Sequence, residues 1–341
     1  MLFRFLPCVL LLGSPAACPA GNTEPLNVVA VASLKGPARA DRMASVAFSP
    51  DGSLLAAGSG RDASLGSHGE ITLWHWRSKA RVTMLDGHRG LVGAVAFSAD
   101  GQWLAGGGYR LTIWDVRTAK PIHRWHAGGL VHAIVIMPDK KTLVTAARSQ
   151  PYATVWDVAA ETGLKKLFAN QEMPTHTTDR GKTVLTLDLS RDGKELVMGG
   201  GKQPASLWDT TTWALKQELL EAAPGKQQAK YVGLLHREQA VFCKGDYDIP
   251  GKIVHLGTKQ VIRELQGDDH LAASIAISPD GQLIAVAGMD DICLWSSQSG
   301  KLLWSTHGNY WSVAFSPDAR HFAVGNATGG VTVYQIAKDG K

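Results

Sequence analysis

The fold of this 341-residue chain is decided by the stretch Val46-Ala-Phe-Ser-Pro-Asp51-Gly52, which recurs along the sequence. Close copies begin at Val95, Ile275 and Val313, and weaker copies span 134–140 and 187–193. In each copy, apolar and small residues alternate and then meet a turn rich in Pro, Asp or Gly, which a second apolar run follows. This pattern predicts a β-hairpin in every copy.

A third apolar run follows each hairpin and ends on an aromatic residue, and a more polar fourth run comes after it. The aromatic ends are Trp74, Trp114-Asp115, Trp156-Asp157, Trp208-Asp209, Trp295 and Tyr334. Fourth runs lie at 80–85, 121–125 and 301–305. The repeat therefore predicts a series of four-stranded antiparallel sheets.

The Trp-Asp endings, the Gly87-His88 pair and the Ser-Pro-Asp-Gly turns resemble the WD-repeat β-propeller family. The six intervals from Asp51 to Asp318 average about 44 residues, within the ~40–45 of this repeat. The resemblance implies an all-β fold, a single seven-bladed β-propeller over residues 27–337, with a four-residue tail at 338–341. The count requires a degenerate fifth blade, whose strands we place at 231–235, 240–243 and 253–256.

Closure of the ring needs a strand from the start of the chain. The third strand of blade seven, Val331–Ile336, is followed by too few residues for an outer strand. Asn27–Leu34 is an apolar run with no partner of its own. We expect these two segments to pair, which removes an exposed edge and closes the propeller.

Residues 1–20 have the pattern of a secretory signal peptide, with a cationic start, an apolar run at 5–12 and a small-residue end at Ala20. Residues 21–26 would then be a linker, and the protein would be exported to the periplasm or cell envelope. Lipidation of Cys18, which would tether the chain to a membrane, is one alternative, although Pro15 departs from the pattern that precedes such a cysteine. A disordered N-terminal tail is the other.

Composition and motifs argue against several kinds of function. The net charge of +5 is spread without a basic run, which favours a solvated surface over nucleic-acid binding. No HExxH, Walker-type, GxSxG or GxGxxG pattern occurs, so the sequence predicts no catalytic residue, metal or cofactor. Cys243 and Cys293 lack metal-ligand spacing and lie in β-like runs, which predicts buried thiols, with a disulfide as the alternative.

The resemblance implies structural roles for the most conspicuous residues. The repeat tryptophans would pack between blades, with each indole N–H bonded to a partner such as a repeat histidine. His88 and His270 match the structural histidine of the family. The family's Asp before the third strand is absent from blades one to four, which favours apolar packing and close glycine contacts. The triples 106–108 and 199–201 are expected to form turns with positive φ.

Loop lengths point to one face of the propeller. The loops between second and third strands and the loops between blades emerge on the same face, and the insertions at 59–69, 169–182 and 220–229 all belong to these loops. We call this the looped face, and longer loops on one face indicate a binding surface. The candidate partner-binding residues on it are Arg61, His68, Tyr109, Arg110, Arg148, Gln150, Tyr152, Lys202, Gln203, Asp246, Tyr247 and Asp290.

Charge on the looped face divides into two sectors. Blades one to four contribute a cationic sector made of Arg61, Arg110, Arg148 and Lys202. Blades five and six contribute an anionic sector made of Asp246, Asp248, Asp290 and Asp291. The tyrosines among the candidates are of the kind that interfaces favour.

These features together predict an exported, non-catalytic, monomeric scaffold that binds a protein or peptide through its looped face. One alternative is a propeller enzyme, a hydrolase or oxidoreductase with its site in the central channel. Another is a module that binds a small ligand or sugar. That alternative requires Trp103 and Tyr109 to line a concave pocket rather than pack between blades.

Overall fold

The computed structural model describes residues 26–37, 42–61, 68–148, 150–168, 183–200, 203–219, 231–235, 238–243, 251–267 and 272–337. In these ranges, 28 strands form seven four-stranded antiparallel sheets. The described residues contain no helix, and so none that could span a membrane. The predicted seven-bladed, all-β propeller is confirmed.

Each blade runs from an inner strand at the central axis to an outer strand at the rim. The strands of blades one to three are β2 Arg42–Phe48, β3 Leu54–Gly60, β4 His68–His75, β5 Ala80–Arg89, β6 Ala94–Phe97, β7 Trp103–Gly107, β8 Arg110–Asp115, β9 Lys120–His126, β10 Val131–Ile136, β11 Thr142–Ala147, β12 Tyr152–Asp157 and β13 Thr162–Phe168. Those of blades four and five are β14 Thr186–Leu189, β15 Glu195–Gly200, β16 Gln203–Asp209, β17 Ala214–Glu218, β18 Tyr231–Leu235, β19 Gln239–Cys243, β20 Lys252–His255 and β21 Val261–Glu264. Those of blades six and seven are β22 Ala272–Ile277, β23 Leu283–Gly288, β24 Asp291–Ser296, β25 Leu302–His307, β26 Tyr310–Phe315, β27 His321–Asn326, β28 Gly330–Ala337 and β1 Asn27–Lys35.

The degenerate fifth blade is present where the sequence predicts it. Strands β18, β19 and β20 match the three predicted runs to within one residue at each end, and β21 completes the sheet. Its apolar residues Val241 and Ile253 are fully buried although the repeat Trp and the Asp-Gly turn are missing. Apolar alternation alone is therefore enough to form this blade.

The two ends of the described chain meet in blade seven. Strand β1 pairs antiparallel with β28, from Asn27 opposite Ala337 to Lys35 opposite Gly330, with one irregularity between Ala30 and Ala32. The predicted closure by the N-terminal strand is confirmed.

The apolar core is divided into seven clusters, and each lies between two neighbouring blades. Leu34 of β1, for example, belongs to the cluster that blade seven shares with Met43 and Trp74 of blade one. The repeat tryptophans Trp74, Trp114, Trp156, Trp208 and Trp295 are all buried and each belongs to one of these clusters. Their predicted packing between blades is confirmed.

The hydrogen-bond partners of the tryptophans differ from the expectation. The indole N–H of Trp156 donates to Thr145 Oγ1 at 2.8 Å, that of Trp208 to Ser206 Oγ at 2.9 Å, and that of Trp295 to the Gln266 carbonyl at 3.0 Å. His88 instead packs its ring against Trp114, with centroids 5.4 Å apart, and is buried. Short hydroxyls within the blade can reach the indole without the histidine.

The prediction of positive φ for the glycine triples is wrong for 106–108. A Cβ on Gly107 would lie 2.6 Å from Val131 Cγ1 of the next blade, and one on Gly199 would lie 2.8 Å from Val232 Cγ1. Of the described members of both triples, Gly200 alone has a positive φ, of 158°. These glycines are needed because neighbouring blades approach too closely for a side chain.

The hairpin turns that carry the repeat motif are closed by a shared network. In blades one, two, four, six and seven, a serine hydroxyl donates to the Asp two residues later at 2.5–2.7 Å. The same oxygen accepts the N–H that starts the second strand, as in Ser49 and Leu54 at 2.9 Å. Bonds from Ser49 and Ser53 hold the pKa of the Asp51 carboxyl below its usual value. The turn therefore depends on an ionised aspartate.

Closure by β1 leads to a prediction with a matched control in the same strand. Leu34 is 2% exposed and Val29 is 53% exposed. Leu34→Ala should lower the free energy of unfolding by about 2–5 kcal/mol, since it leaves a cavity between blades seven and one. Val29→Ala should change it by less than about 0.5 kcal/mol. Urea unfolding of both variants checks this, and equal effects would contradict a packed closing strand.

Candidate functional site

The inner strands of the blades surround a central channel with a volume of about 800 Å³. Its wall is formed by residues of β2, β10, β14, β18, β22 and β26, together with Gly93 before β6. Apolar residues such as Val46, Leu187 and Ile275 make up much of the wall. Because the inner strands start at the looped face, their first residues form the channel mouth on that face.

Four inner strands carry a β-bulge at the same place, just inside this mouth. The register shifts lie between Met43 and Ser45, Val131 and Ala133, Ala272 and Ser274, and Tyr310 and Ser312. The bulged residues are Ala44, His132, Ala273 and Trp311, and all four line the channel. A bulge re-aims a side chain, and bulges are frequent beside functional sites. In blades three and seven, the bulged residue is His132 or Trp311, whose side chain can contact a bound partner.

We name Arg42, His132, Tyr231 and Trp311 the mouth cluster. The Arg42 guanidinium lies over the Trp311 ring, 4.4 Å from its centroid. Tyr231 begins β18 and lines the channel, and burial raises the pKa of its phenol to about 12. The mouth therefore combines a cation, an imidazole and two aromatic rings, a set suited to polar and aromatic groups of a partner.

Asp188 of β14 is an acid in the channel wall. Its Oδ2 accepts the Leu234 N–H of blade five at 2.7 Å, and its Oδ1 accepts the Leu189 N–H at 3.0 Å. Burial raises the pKa of this carboxyl to about 6, against the two backbone donors, which lower it. The carboxylate joins blades four and five, as Thr186 Oγ1 also does by accepting the Val232 N–H at 3.2 Å.

The structure places several predicted looped-face residues where a partner could reach them. Arg61, His68, Arg148 and Asp290 are exposed, and Tyr109 is 47% exposed. Arg110, which begins β8, is partly exposed. Arg61 and Arg148 directly follow the second strands of blades one and three, and Arg110 begins the third strand of blade two. None of these residues lines the channel, so they surround its mouth at a distance.

Other predicted residues are held by contacts within the fold. The Gln150 amide donates to the Gly128 carbonyl at 3.0 Å. The Tyr152 ring packs on Phe168, with centroids 5.0 Å apart, and lies under the Lys166 ammonium. Both side chains therefore brace blade three in the described structure.

The predicted anionic sector needs one correction, and part of it cannot be placed. Asp291 starts β24 and is 4% exposed, so it does not belong to the surface, because strand alternation turns it inward from its exposed neighbour Asp290. Lys202, Asp246, Tyr247 and Asp248 lie outside the described residues, as do His270, Cys18 and the side chain of Gln203. These predictions remain predictions.

The small-ligand alternative requires Trp103 and Tyr109 to line a concave pocket. Trp103 lies beneath the Lys140 ammonium, 4.8 Å from its ring centroid, and beside the His123 ring at 6.2 Å. Neither Trp103 nor Tyr109 lines the channel cavity. Cys243 and Cys293 are both 1% exposed, and the sequence predicts that they are buried. No group of three metal-binding side chains occurs among the described residues.

Sequence reasoning missed the mouth cluster. The signal that could have found it is a column of the repeat two residues before the quoted motif, which holds Ala44, His132, Ala273 and Trp311. The next column holds only small residues, namely Ser45, Ala94, Ala133, Thr186, Ser274 and Ser312, whereas this column changes from methyl to indole. Variable positions among regular ones indicate a specific role.

Comparison with known proteins agrees with the geometry. The family model for "WD domain, G-beta repeat" matches residues 29–74 and 79–115. Protein groucho of Drosophila melanogaster is 27% identical over 232 residues, which cover 66% of this chain and 30% of that protein. The small ribosomal subunit protein RACK1y of Oryza sativa subsp. japonica is 28% identical over 142 residues, 40% of each chain, and the RACK1 of Medicago sativa is 28% identical over 134 residues, 36% of this chain and 41% of that one.

The matched repeats and these relatives support a WD-repeat β-propeller family for this chain. The matched segments span less than half the length of these relatives. The first matched repeat runs from β1 to β4 and the second from β5 to β8. Each sequence repeat therefore begins with the outer strand of one blade and supplies the three inner strands of the next, which interlocks neighbouring blades.

The raised pKa of Asp188 predicts a specific pH dependence. The unfolded carboxyl has a pKa of 3.8, so the folded state binds the proton more tightly, and the contribution of Asp188 to stability falls as pH rises from about 4 through 6. Asp188→Asn removes this effect. The stability of the variant relative to wild type should therefore increase between pH 4.5 and 7.5, by at most about 3 kcal/mol.

Asp51→Asn is the control for that measurement. The pKa of Asp51 is lowered, so its contribution changes below pH 4 and should be constant between pH 4.5 and 7.5. Urea unfolding at the two pH values gives both differences. A constant difference for Asp188→Asn would show that its carboxyl is not desolvated in the channel wall.

Proposed function

We propose that this protein is an exported, non-catalytic scaffold that binds a protein or peptide through the looped face, with the mouth cluster at the centre of the interface. The observation that carries the proposal is the set of aligned bulges, which turns His132 and Trp311 out of the blade packing and toward the channel mouth. Trp and Arg are the residue types most enriched at interface centres. In the mouth cluster they are stacked together.

The cationic residues around the mouth support a partner with acidic groups. Arg61, Arg110 and Arg148 come from three consecutive blades and project from the same face. Charges at the rim of an interface chiefly speed association and select the partner. The RACK1 relatives are named as small ribosomal subunit proteins, and their place in a larger assembly supports a binding role for this propeller.

The surroundings of Asp188 favour a scaffold over an enzyme. In the described part of the chain, its carboxylate accepts hydrogen bonds from the backbone N–H groups of Leu189 and Leu234 rather than from a second titratable side chain. A general acid or base needs a reacting group within reach, and here the carboxylate joins two blades. We further propose that the propeller acts as a monomer and does not bind nucleic acid.

Export belongs to the proposal because of residues 1–20, with their cationic start, short apolar run and small-residue end. Cleavage after Ala20 would release the propeller into the periplasm or cell envelope. Lipidation at Cys18 would instead leave it tethered to a membrane. The two routes differ in whether Cys18 is required for membrane attachment.

Charge reversal tests the looped face. Arg110→Glu with Arg148→Glu should weaken capture of an acidic partner by well over about tenfold at low salt, because like charges then face each other. Chemical cross-linking of the tagged chain in its native envelope, followed by mass spectrometry, would identify the partner and measure its recovery. Trp311→Ala should reduce recovery of the same partner, and the melting temperature should barely change.

The control pair for this experiment is Lys141→Glu with Lys194→Glu, two exposed positions on the opposite face. Lys140 is unsuitable, since its ammonium is bonded to Asp100 Oδ2 at 2.6 Å and its reversal would break a contact between blades. Loss of the same partner from both pairs would reveal a general charge effect. Loss from the control pair alone would place the interface on the other face.

A reporter tests export. Residues 1–26 fused to an enzyme that is active only outside the cytoplasm should give activity, because the leader would direct secretion. Cys18→Ala should leave this activity intact, and it should release the reporter from the membrane only if Cys18 is lipidated. Absence of reporter activity with the unaltered leader would contradict export and indicate that the protein stays in the cytoplasm.

A further inference from the structure

The outer strands of blades one to three differ in charge from those of the other blades. Strands β5, β9 and β13 together contain six Lys or Arg residues and one acid, Asp86, whereas β17, β21, β25 and β1 contain three basic residues and two acids. The cations of the first group whose exposed side chains the structure describes are Arg81, Lys120, Arg124, Lys165 and Lys166. One sector of the rim is therefore strongly cationic.

The same three strands expose large apolar side chains between these cations. Leu164 is 59% exposed, Val82 45%, Ile122 41% and Met84 37%. In β13, the five residues 162–166 are all exposed. We name the nine side chains of these two sets the basic wall.

Contacts between neighbouring blades make the basic wall continuous. The Arg124 guanidinium of β9 lies against Gly87 of β5, where a Cβ would be 3.1 Å from its Nη2. His123 Nδ1 of β9 lies 3.1 Å from Glu161 Oε1, just before β13. The Lys165 ammonium reaches the Trp213 carbonyl of blade four at 2.7 Å. The wall curves around the rim, and none of its residues lines the channel.

We propose that the basic wall docks the propeller on an anionic phospholipid membrane. Lys and Arg beside such a surface are attracted to the lipid headgroups, and aliphatic side chains among them can enter the boundary with the acyl chains. A bilayer accepts aliphatic groups at any spacing, whereas a protein partner needs a matching pocket for each. Lysines on edge strands also hinder aggregation. Protection from aggregation would be needed at every outer strand, whereas the cations are concentrated in the outer strands of three blades.

Vesicle co-sedimentation tests the proposal, with the full chain carrying Cys18→Ala so that lipidation cannot contribute. Binding to vesicles of 30 mol% phosphatidylglycerol in phosphatidylcholine should exceed binding to pure phosphatidylcholine by about tenfold or more and should fall as salt is raised. Lys165→Gln with Lys166→Gln should reduce binding to the anionic vesicles by about tenfold. Leu164→Ser should reduce it several-fold.

The matched controls lie on the rim of blade five, with Val261→Ser for the apolar change and Lys259→Gln with Arg263→Gln for the charge change. Val261 is 47% exposed, so its removal tests exposure alone. These variants should bind anionic vesicles as the parent chain does, with unchanged melting temperatures. Equal binding to neutral vesicles, or equal loss from both rims, would overturn the proposal. Tighter binding to soluble polyglutamate than to vesicles, compared at the same concentration of negative charge, would also overturn the proposal. That result would point to an acidic polypeptide as the partner.

Discussion

A blade of this propeller can bury its two faces only against its two neighbours, and the rest of the structure depends on that constraint. The seven apolar clusters all lie between blades, so no sheet has a core of its own. An open ring would expose one face of the first blade and one of the last. Strand β1 prevents this because it completes blade seven and also places Leu34 in the cluster shared with blade one.

Close packing between blades also explains the polar groups that this chain lacks. Gly108 lies just before β8, and a Cβ there would lie 2.8 Å from the Leu91 carbonyl and 3.3 Å from His88 Nδ1. Neither ring nitrogen of His88 has a hydrogen-bond partner within the described part of the chain. Burial lowers the pKa of His88 to about 4, so the ring is neutral at pH 7. It therefore acts as a packing group against Trp114.

The sequence predicts the blades well because their signals are local and repeated. Spacing of the Asp-Gly turns gives the count, and alternation finds even the fifth blade without its Trp. Spacing and alternation do not reveal the mouth cluster, since a bulge is a property of the register between two strands, and only the change in side-chain size at one column of the repeat marks it. The prediction of a positive φ at Gly107 is wrong for a related reason. Glycine serves both for positive φ and for close approach, and only the neighbouring Val131 distinguishes the two uses.

Seven similar blades can hold one asymmetric site because the bulged residues are exempt from the packing constraint. Ala44, His132, Ala273 and Trp311 line the channel, and none of them belongs to the seven apolar clusters. A change from alanine to tryptophan at this column therefore alters the channel mouth without overpacking a blade interface, where added volume would cost about 1–3 kcal/mol. Residues such as Trp74 and Leu34 have no such freedom because both neighbouring blades contact them. The positions that hold the ring together and the positions that can recognise a partner are separated by a single step along each inner strand.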